Sequence, residues 1–426
     1  MNELTHPFTP AAQATPEGFG RLDRLLRERV LAQLANLHDG HIVLEDPCGT
    51  TELGTRAAEL QVRIAVGSAE FYRAVVARGS VGAGEAYMSG LWRCDDLVAL
   101  VRILVRNREL LDGMETGLAR LGGAALRAAH ALRRNTLAGS RRNIAAHYDL
   151  GNEFFALFLS PDLMYSSAYW AGADDTLAAA STRKLDLICR KLQLVPGDHV
   201  VEIGTGWGGF AVHAASHYGV RVTTTTISAE QHALAQACVA RAGLTDKVTV
   251  LREDYRALSG QYDKLVSIEM IEAIGANYLD TYFGQLGRLL RPDGLALVQA
   301  ITIEDHRYRQ ALKSVDFIKR HVFPGSFIPS IEAMLTAKAR ASDLALIDLE
   351  DFGFSYARTL EAWRERFLGR LAEVRALGFD EPFIRMWEFY LAYCEGGFRE
   401  RSIGVSHLVL EKPGCHRPPM QRATAV

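Results

Sequence analysis

His199–Gly209 reads HVVEIGTGWGG, and this stretch decides the fold. An apolar, β-branched run ends in an acid and a glycine turn, and a helix is predicted to open near Phe210. Gly204 and Gly206 permit a tight turn that brings backbone N–H groups against a ligand with no Cβ in the way. Two patterns fit the same letters. Gly204, Gly206 and Gly209 satisfy the GxGxxG of dinucleotide enzymes, whereas Glu202, Gly204, Gly206 and Gly208 satisfy the acidic-x-G-x-G-x-G of methyltransferases.

Residues further along separate the two. A dinucleotide fold ends its second strand in a carboxylate for the ribose, but here that strand ends in Thr223, Thr224, Thr225 and Thr226. Asp254 and Tyr255 follow the third strand, where a carboxylate could accept from an adenine amino group and a ring could stack. LLRPDGLALV then gives a helix, a turn and another strand. Together these favour S-adenosylmethionine over NAD.

The runs HVVEIG, VRVTTTTIS, KVTVLRED, YDKLVSIEM and LALVQAIT alternate with helix-length stretches, which predicts an α/β, doubly wound sheet over residues 147–412. Arg307–Lys338 interrupts the rhythm as a basic, aromatic insertion, and Phe352–Tyr356 and Val405–Leu410 are expected as later strands. Upstream, residues 21–115 mix a helical apolar pattern (Leu22, Leu25, Leu26, Val30, Leu34) with a strand-like run from Leu60 to Val66. This is the pattern of a smaller α+β domain. Residues 116–146 hold six arginines and no acid, and read as a basic helical linker. That linker is either a solvated connector or a surface for anionic headgroups. Residues 1–20 and 413–426 read as tails.

The chain has 426 residues, enough for two domains, with 48 Lys plus Arg against 50 Asp plus Glu. The net charge of −2 argues against nucleic acid held through phosphate contacts. Six dispersed cysteines without a CxxC pair fit a reducing cytoplasm. The first twenty residues lack the basic start and apolar run of a signal peptide. No run approaches the roughly 18 apolar residues of a spanning helix. His213 and His217 lie four apart, but HAASH lacks the glutamate of a zinc-hydrolase helix, so no metal is expected.

The segments HYDLGNEFFALFLSPDLMYSSAYW, VEIGTGWGG, TTISAEQ, EDYR, SIEMIEAIG, FPGSFIPS and FYLAYCEGGFRERSIG, in this order, resemble the cyclopropane-fatty-acyl-phospholipid synthase family. GAGEAYMSGLW (Gly82–Trp92) is similar to that family's N-terminal, lipid-engaging domain. The resemblance implies a class I (Rossmann-like) methyltransferase acting on unsaturated acyl chains of membrane phospholipids. It would be a cytoplasmic enzyme, peripheral at the inner face of the membrane. A homo-oligomer stays open. The resemblance also implies that S-adenosylmethionine lies across Glu202, Gly204, Gly206 and Gly208. Tyr165 and Ser166 would close over it, Thr226 and Gln231 would take the ribose, and Asp254 and Tyr255 would sit beside the adenine. Bicarbonate, the proton acceptor in cyclopropane-forming relatives, would be held by Glu272, Tyr356 and the Ile301 N–H. Two positions depart from the family: Ser167 replaces its cysteine and Gln299 its histidine. Both replacements still hydrogen-bond, so the anion site reads as altered and not erased.

An alkene accepts a methyl group only from a strong electrophile held in line. The resulting cation needs a dry, aromatic-lined pocket, for which Tyr165, Tyr169, Trp170, Phe317 and Tyr356 are candidates, though each also reads as core packing. Losing the imidazole at 299 removes a proton handler. That favours a methyl- or methylene-branched product over a cyclopropane. Glu269 adds a second carboxylate where relatives usually carry glycine, and reads equally as a strand-end surface residue. Cys394 and His147 match family positions but read as packing and structural groups. The competing functions are a lipid-binding protein with an inactive methyltransferase domain and a nicotinamide-dependent oxidoreductase.

Overall fold

The computed structural model describes residues 19–110 and 150–416. Residues 1–18, the expected linker at 116–146, His147 and residues 417–426 lie outside the described residues. The described residues divide into two compact units. One holds residues 19–110, 313–324 and 360–402, and the other 150–312, 325–359 and 403–416.

The first unit carries a four-stranded sheet in the order β2-β1-β3-β4, formed by β1 (His41–Asp46), β2 (Gly49–Gly54), β3 (Gln61–Val66) and β4 (Trp92–Cys94). Leu97–Arg106 and Glu381–Arg399 are its closely packed helices. A Cβ on Gly396 would stand 2.6 Å from Val101 Cγ1, so only glycine allows this approach. Glu400 clamps the pair by accepting from Arg102 Nε at 2.6 Å and Arg106 Nε at 2.9 Å. Phe317 packs here against Phe389, with ring centroids 4.7 Å apart.

The second unit is built on a seven-stranded sheet in the order β10-β11-β9-β8-β5-β6-β7. Its strands are β5 (His199–Ile203), β6 (Arg221–Thr225), β7 (Val248–Leu251), β8 (Tyr262–Ile268), β9 (Leu290–Ile303), β10 (Ala345–Asp351) and β11 (Ile403–Glu411). The five strands from β9 to β7 are parallel, and β11 runs antiparallel to both β9 and β10. This is the doubly wound sheet predicted from the alternating runs.

Neighbouring side chains on a strand face opposite ways. Val200, Val222 and Val266 therefore join Phe210, Ile188 and Ala214 on one face. Val201, Leu265 and Val298 join Tyr282, Phe283 and Met334 on the other. Burial on both faces accounts for the near-continuous apolar runs in these strands. Strand order reverses between β5 and β8, which opens a crevice at their C-terminal ends, the usual ligand position in such sheets.

Phe352–Tyr356 is not a strand. The strand is Ala345–Asp351, and helix Gly353–Leu368 starts directly after it. Asp351 Oδ1 accepts the Gly353 N–H at 3.2 Å, and the Ala, Arg, Leu and Glu that follow favour helix over strand.

Candidate active site

The glycine loop leaves β5 at the crevice. Gly204 and Gly206 have φ of 102° and 51°, and Gly204 N and Thr205 N both donate to Thr225 O at the end of β6. Among the described residues nothing stands within 4 Å of a Cβ built on Gly206, while one on Gly204 would lie 3.1 Å from Met270 Cγ. Gly209 serves differently. It opens helix Gly209–Tyr218, and its Cβ would meet Asp162 O at 2.6 Å and Met164 Sδ at 2.7 Å. The third glycine therefore admits the 160–164 segment against the helix start. Trp207 Nε1 donates to Asn152 Oδ1 at 2.6 Å, and its ring lies 5.0 Å from Phe155, which in turn meets Tyr165 at 5.2 Å. These contacts bring Tyr165 and Ser166 to the loop.

Thr226 and Gln231 are buried together, Thr226 Oγ1 donating to Gln231 Oε1 at 2.7 Å. Glu202 turns into the sheet and accepts from Thr224 Oγ1 at 2.6 Å, and burial pushes its carboxyl up to about 8. The Asp254 carboxylate forms a bidentate pair with Arg256, at 2.7 Å to both Nε and Nη2. An adenine amino group would share it with that guanidinium. The Tyr255 hydroxyl is buried with no hydrogen-bond partner among the described residues, a cost unless a ligand supplies one. A cradle cleared of Cβ atoms, a buried Thr–Gln pair and an orphaned hydroxyl fit a nucleoside with a short polar tail.

Beside the loop lies a carboxylate cluster. Glu269 directly follows β8, in the left-handed region with φ 49°, a conformation that costs a non-glycine residue on the order of 1 kcal/mol or more. Its N–H donates to Gln299 O at 2.8 Å, and the side chain swings inward. Glu269 Oε1 accepts from Ser167 N at 2.9 Å and Gln299 Nε2 at 2.7 Å, and Oε2 accepts from Tyr356 OH at 2.7 Å. Glu269 is thus an organising residue of the cluster and not a strand-end surface group.

Ser167 turns its hydroxyl to Ala168 O at 2.9 Å. Glu272 Oε1 accepts the Ile301 N–H at 2.6 Å, while Oε2 is buried without a partner among the described residues. Burial, reinforced by Glu269, pushes the Glu272 carboxyl up to about 8, which favours its protonated form near neutral pH. Burial also raises Glu269, opposed by its three donors and Lys184.

Two further residues escape a reading of the sequence. Lys184 is fully buried, donates to Ser166 Oγ at 2.8 Å, and is pulled down to about 8 by burial against the attraction of Glu269, Asp162 and Glu202. In helix Leu177–Lys191 the buried positions Leu177, Ala180, Ser181, Lys184 and Ile188 form one stripe. A cation on an apolar helical stripe was the available signal. His407 lies opposite Gln299 across the β9–β11 ladder, with Nε2 at 3.0 Å from Gln299 Oε1. Since the Gln299 amide NH2 faces an acceptor-only carboxylate, its oxygen accepts and His407 carries its proton on Nε2. Burial holds that imidazole well below its usual range.

Other aromatic candidates serve the framework. Tyr169 OH donates to Glu350 at 2.8 Å, and Trp170 Nε1 donates to Thr359 Oγ1 at 3.0 Å. Phe317 and Cys394 belong to the first unit. His213 pairs with Asp186 at 2.9 Å, and no group of three metal-ligating side chains occurs among the described residues.

The sheet, its glycine loop and the cleared cradle define an S-adenosylmethionine-dependent methyltransferase. Residues 136–408 match the family model for mycolic acid cyclopropane synthetase. The chain is 35% identical over 413 residues to the tuberculostearic acid methyltransferase of Mycobacterium tuberculosis, covering 95% of each protein. It is 37% identical to the cyclopropane-fatty-acyl-phospholipid synthase of Escherichia coli, covering 84% of this chain and 89% of that one. Among solved structures it is similar to a mycolic acid cyclopropane synthase complexed with SAH and CTAB, with TM-score 0.60 and 31% identity. That match covers 64% of this chain and 98% of the other. This chain belongs to the mycolic acid cyclopropane synthetase family, and it is an enzyme of the methyl-transferring kind.

Proposed function

We propose that this enzyme methylates the double bond of an unsaturated acyl chain on a membrane phospholipid and releases a methyl- or methylene-branched chain without closing a ring. The observation that carries this reading is the set of donors from three chain segments, Ser167, Gln299 and Tyr356, gathered on one carboxylate beside the glycine loop. S-adenosylmethionine supplies the methyl group as an electrophile when bound. Gly204 and Gly206 admit its backbone contacts, Thr226 and Gln231 take the ribose, Tyr255 the adenine, and Tyr165 and Ser166 cover the reacting end. The buried side chains exclude the water that would quench a cation on the acyl chain.

In the same reading, residues 21–115 and the basic stretch 116–146 engage anionic lipid at the cytoplasmic face of the membrane. No helix among the described residues is long and apolar enough to cross a membrane. The similarity to a tuberculostearic acid methyltransferase and a cyclopropane-fatty-acyl-phospholipid synthase supports a lipid substrate.

The test is mass spectrometry and proton NMR of fatty acids from cells expressing the protein and fed methyl-labelled methionine. A labelled branched alkene is expected. Upfield cyclopropane protons would overturn the product assignment, and label confined to molecules other than lipids would overturn the substrate.

A further inference from the structure

The groups that the family resemblance assigns to a free anion are already engaged by this chain's own carboxylates. Ser167 N, Gln299 Nε2 and Tyr356 OH donate to Glu269, and Ile301 N donates to Glu272. The Ser167 hydroxyl faces away, to Ala168 O. A small oxyanion entering this site would meet two resident carboxyl groups and a spent set of donors. Glu269 reaches the position only through its left-handed backbone, so the chain sustains a strained residue to keep an acid there.

We propose that Glu269 replaces the soluble anion and is the general base of the reaction, making the enzyme independent of bicarbonate. This rests on the methyltransferase reading above. After methylation the acyl chain carries a positive charge on the carbon next to the new branch. Glu269 accepts a proton from a neighbouring carbon. The C–H electron pair becomes the new C=C bond, which neutralises the cation and leaves Glu269 as a carboxylic acid. That proton passes to water once product has left, so the cycle needs no other co-reactant. Gln299 and Tyr356 hold the carboxylate, and His407 holds Gln299 from behind. Glu272 is engaged separately, through the Ile301 N–H on its Oε1.

The full-length protein is compared with Glu269→Gly and Glu269→Gln in CO2-free buffer, using vesicles of a phospholipid with monounsaturated chains and methyl-labelled S-adenosylmethionine. Glycine suits a φ of 49°, so the first variant keeps its fold, and Glu269→Gln keeps the side-chain volume. Wild-type turnover should change by less than ~2-fold when bicarbonate is added, while both variants should lose ~100-fold or more. Bicarbonate or formate should restore Glu269→Gly by ~10-fold or more and leave Glu269→Gln unrescued, since only glycine vacates the site. Wild-type activity that needs bicarbonate, or Glu269→Gly that works without any anion, would overturn the proposal. Melting temperatures with and without bicarbonate give a second readout that needs no turnover. A rise in Glu269→Gly alone supports the proposal, and an equal rise in the wild type refutes it. Absence of lipid methylation by every protein would instead defeat the underlying function, leaving the melting temperatures to decide on the anion site.

Discussion

Lys184→Met should stabilise this protein at neutral pH while weakening its site. The ammonium is fully buried and pulled from 10.5 down to about 8 by burial, even with Glu269, Asp162 and Glu202 attracting it. At pH 7 it is protonated in both folded and unfolded chains. Keeping it so inside costs about 3 kcal/mol, at ~1.4 kcal/mol per tenfold change in proton affinity. Methionine removes that cost at similar volume but forfeits the hydrogen bond to Ser166, worth ~1 kcal/mol. The net expectation is a variant more stable by ~2 kcal/mol.

The pH dependence fixes the sign. Because the folded-state proton affinity is depressed, the native wild type releases its proton near pH 8, while the unfolded chain holds it to 10.5. Wild-type stability therefore rises through that window, and the advantage of the variant should vanish by about pH 10. Urea unfolding at pH 7 and pH 10 measures both points. Calorimetric titration with S-adenosylhomocysteine should show an affinity ~10-fold weaker, since the Ser166 hydroxyl has lost its donor. A variant less stable than wild type by ~2 kcal/mol at pH 7 would refute the reasoning and make Lys184 a stabilising ion-pair partner.

Gly204→Ala should weaken S-adenosylhomocysteine binding by ~10- to 100-fold in calorimetry, because φ is 102° and the added methyl stands 3.1 Å from Met270. Unchanged affinity would place the cofactor away from this loop. Thr359→Val should cost ~2–4 kcal/mol, because the buried hydroxyl accepts from Ala168 N at 3.1 Å and Trp170 Nε1 at 3.0 Å and both lose their acceptor. Faster hydrogen exchange at the Ala168 amide should accompany it, and unaltered protection would show that water takes over the role.

The strands and glycine loop of the second unit were legible because each parallel strand is buried on both faces and so stands out as an apolar run, as in VVEI and KLVSI. The late strand was misplaced by a few residues. ALIDLED, on the sheet edge, carries three acids in its last four residues (Asp348, Glu350 and Asp351) and lacks such a run. The roles of Thr226, Gln231 and Tyr356 came from motif resemblance, and their packing is compatible with them. Glu269 was visible as a second acid but not as the centre of a cluster, because its donors come from residues 167, 299 and 356 and meet only in the fold. The Asp254 pairing with Arg256, two residues on, is local and could have been anticipated from EDYR. His407 was hidden by topology, since β11 inserts between β9 and β10 although it comes last in the chain.

The first unit draws its helix Glu381–Arg399 from the far end of the chain, against Leu97–Arg106 near the beginning. During synthesis the early segment therefore waits for almost the entire polypeptide before Val101 meets Gly396 and Arg102 meets Glu400. Contacts of such long sequence separation form slowly. The part of Leu97–Arg106 that packs on the late helix, Val98 and Val101 among it, stays uncovered in the nascent chain for that interval. A ribosome-bound intermediate with this apolar stripe exposed is a natural client for a holdase chaperone. Truncation before residue 381 would make that exposure permanent.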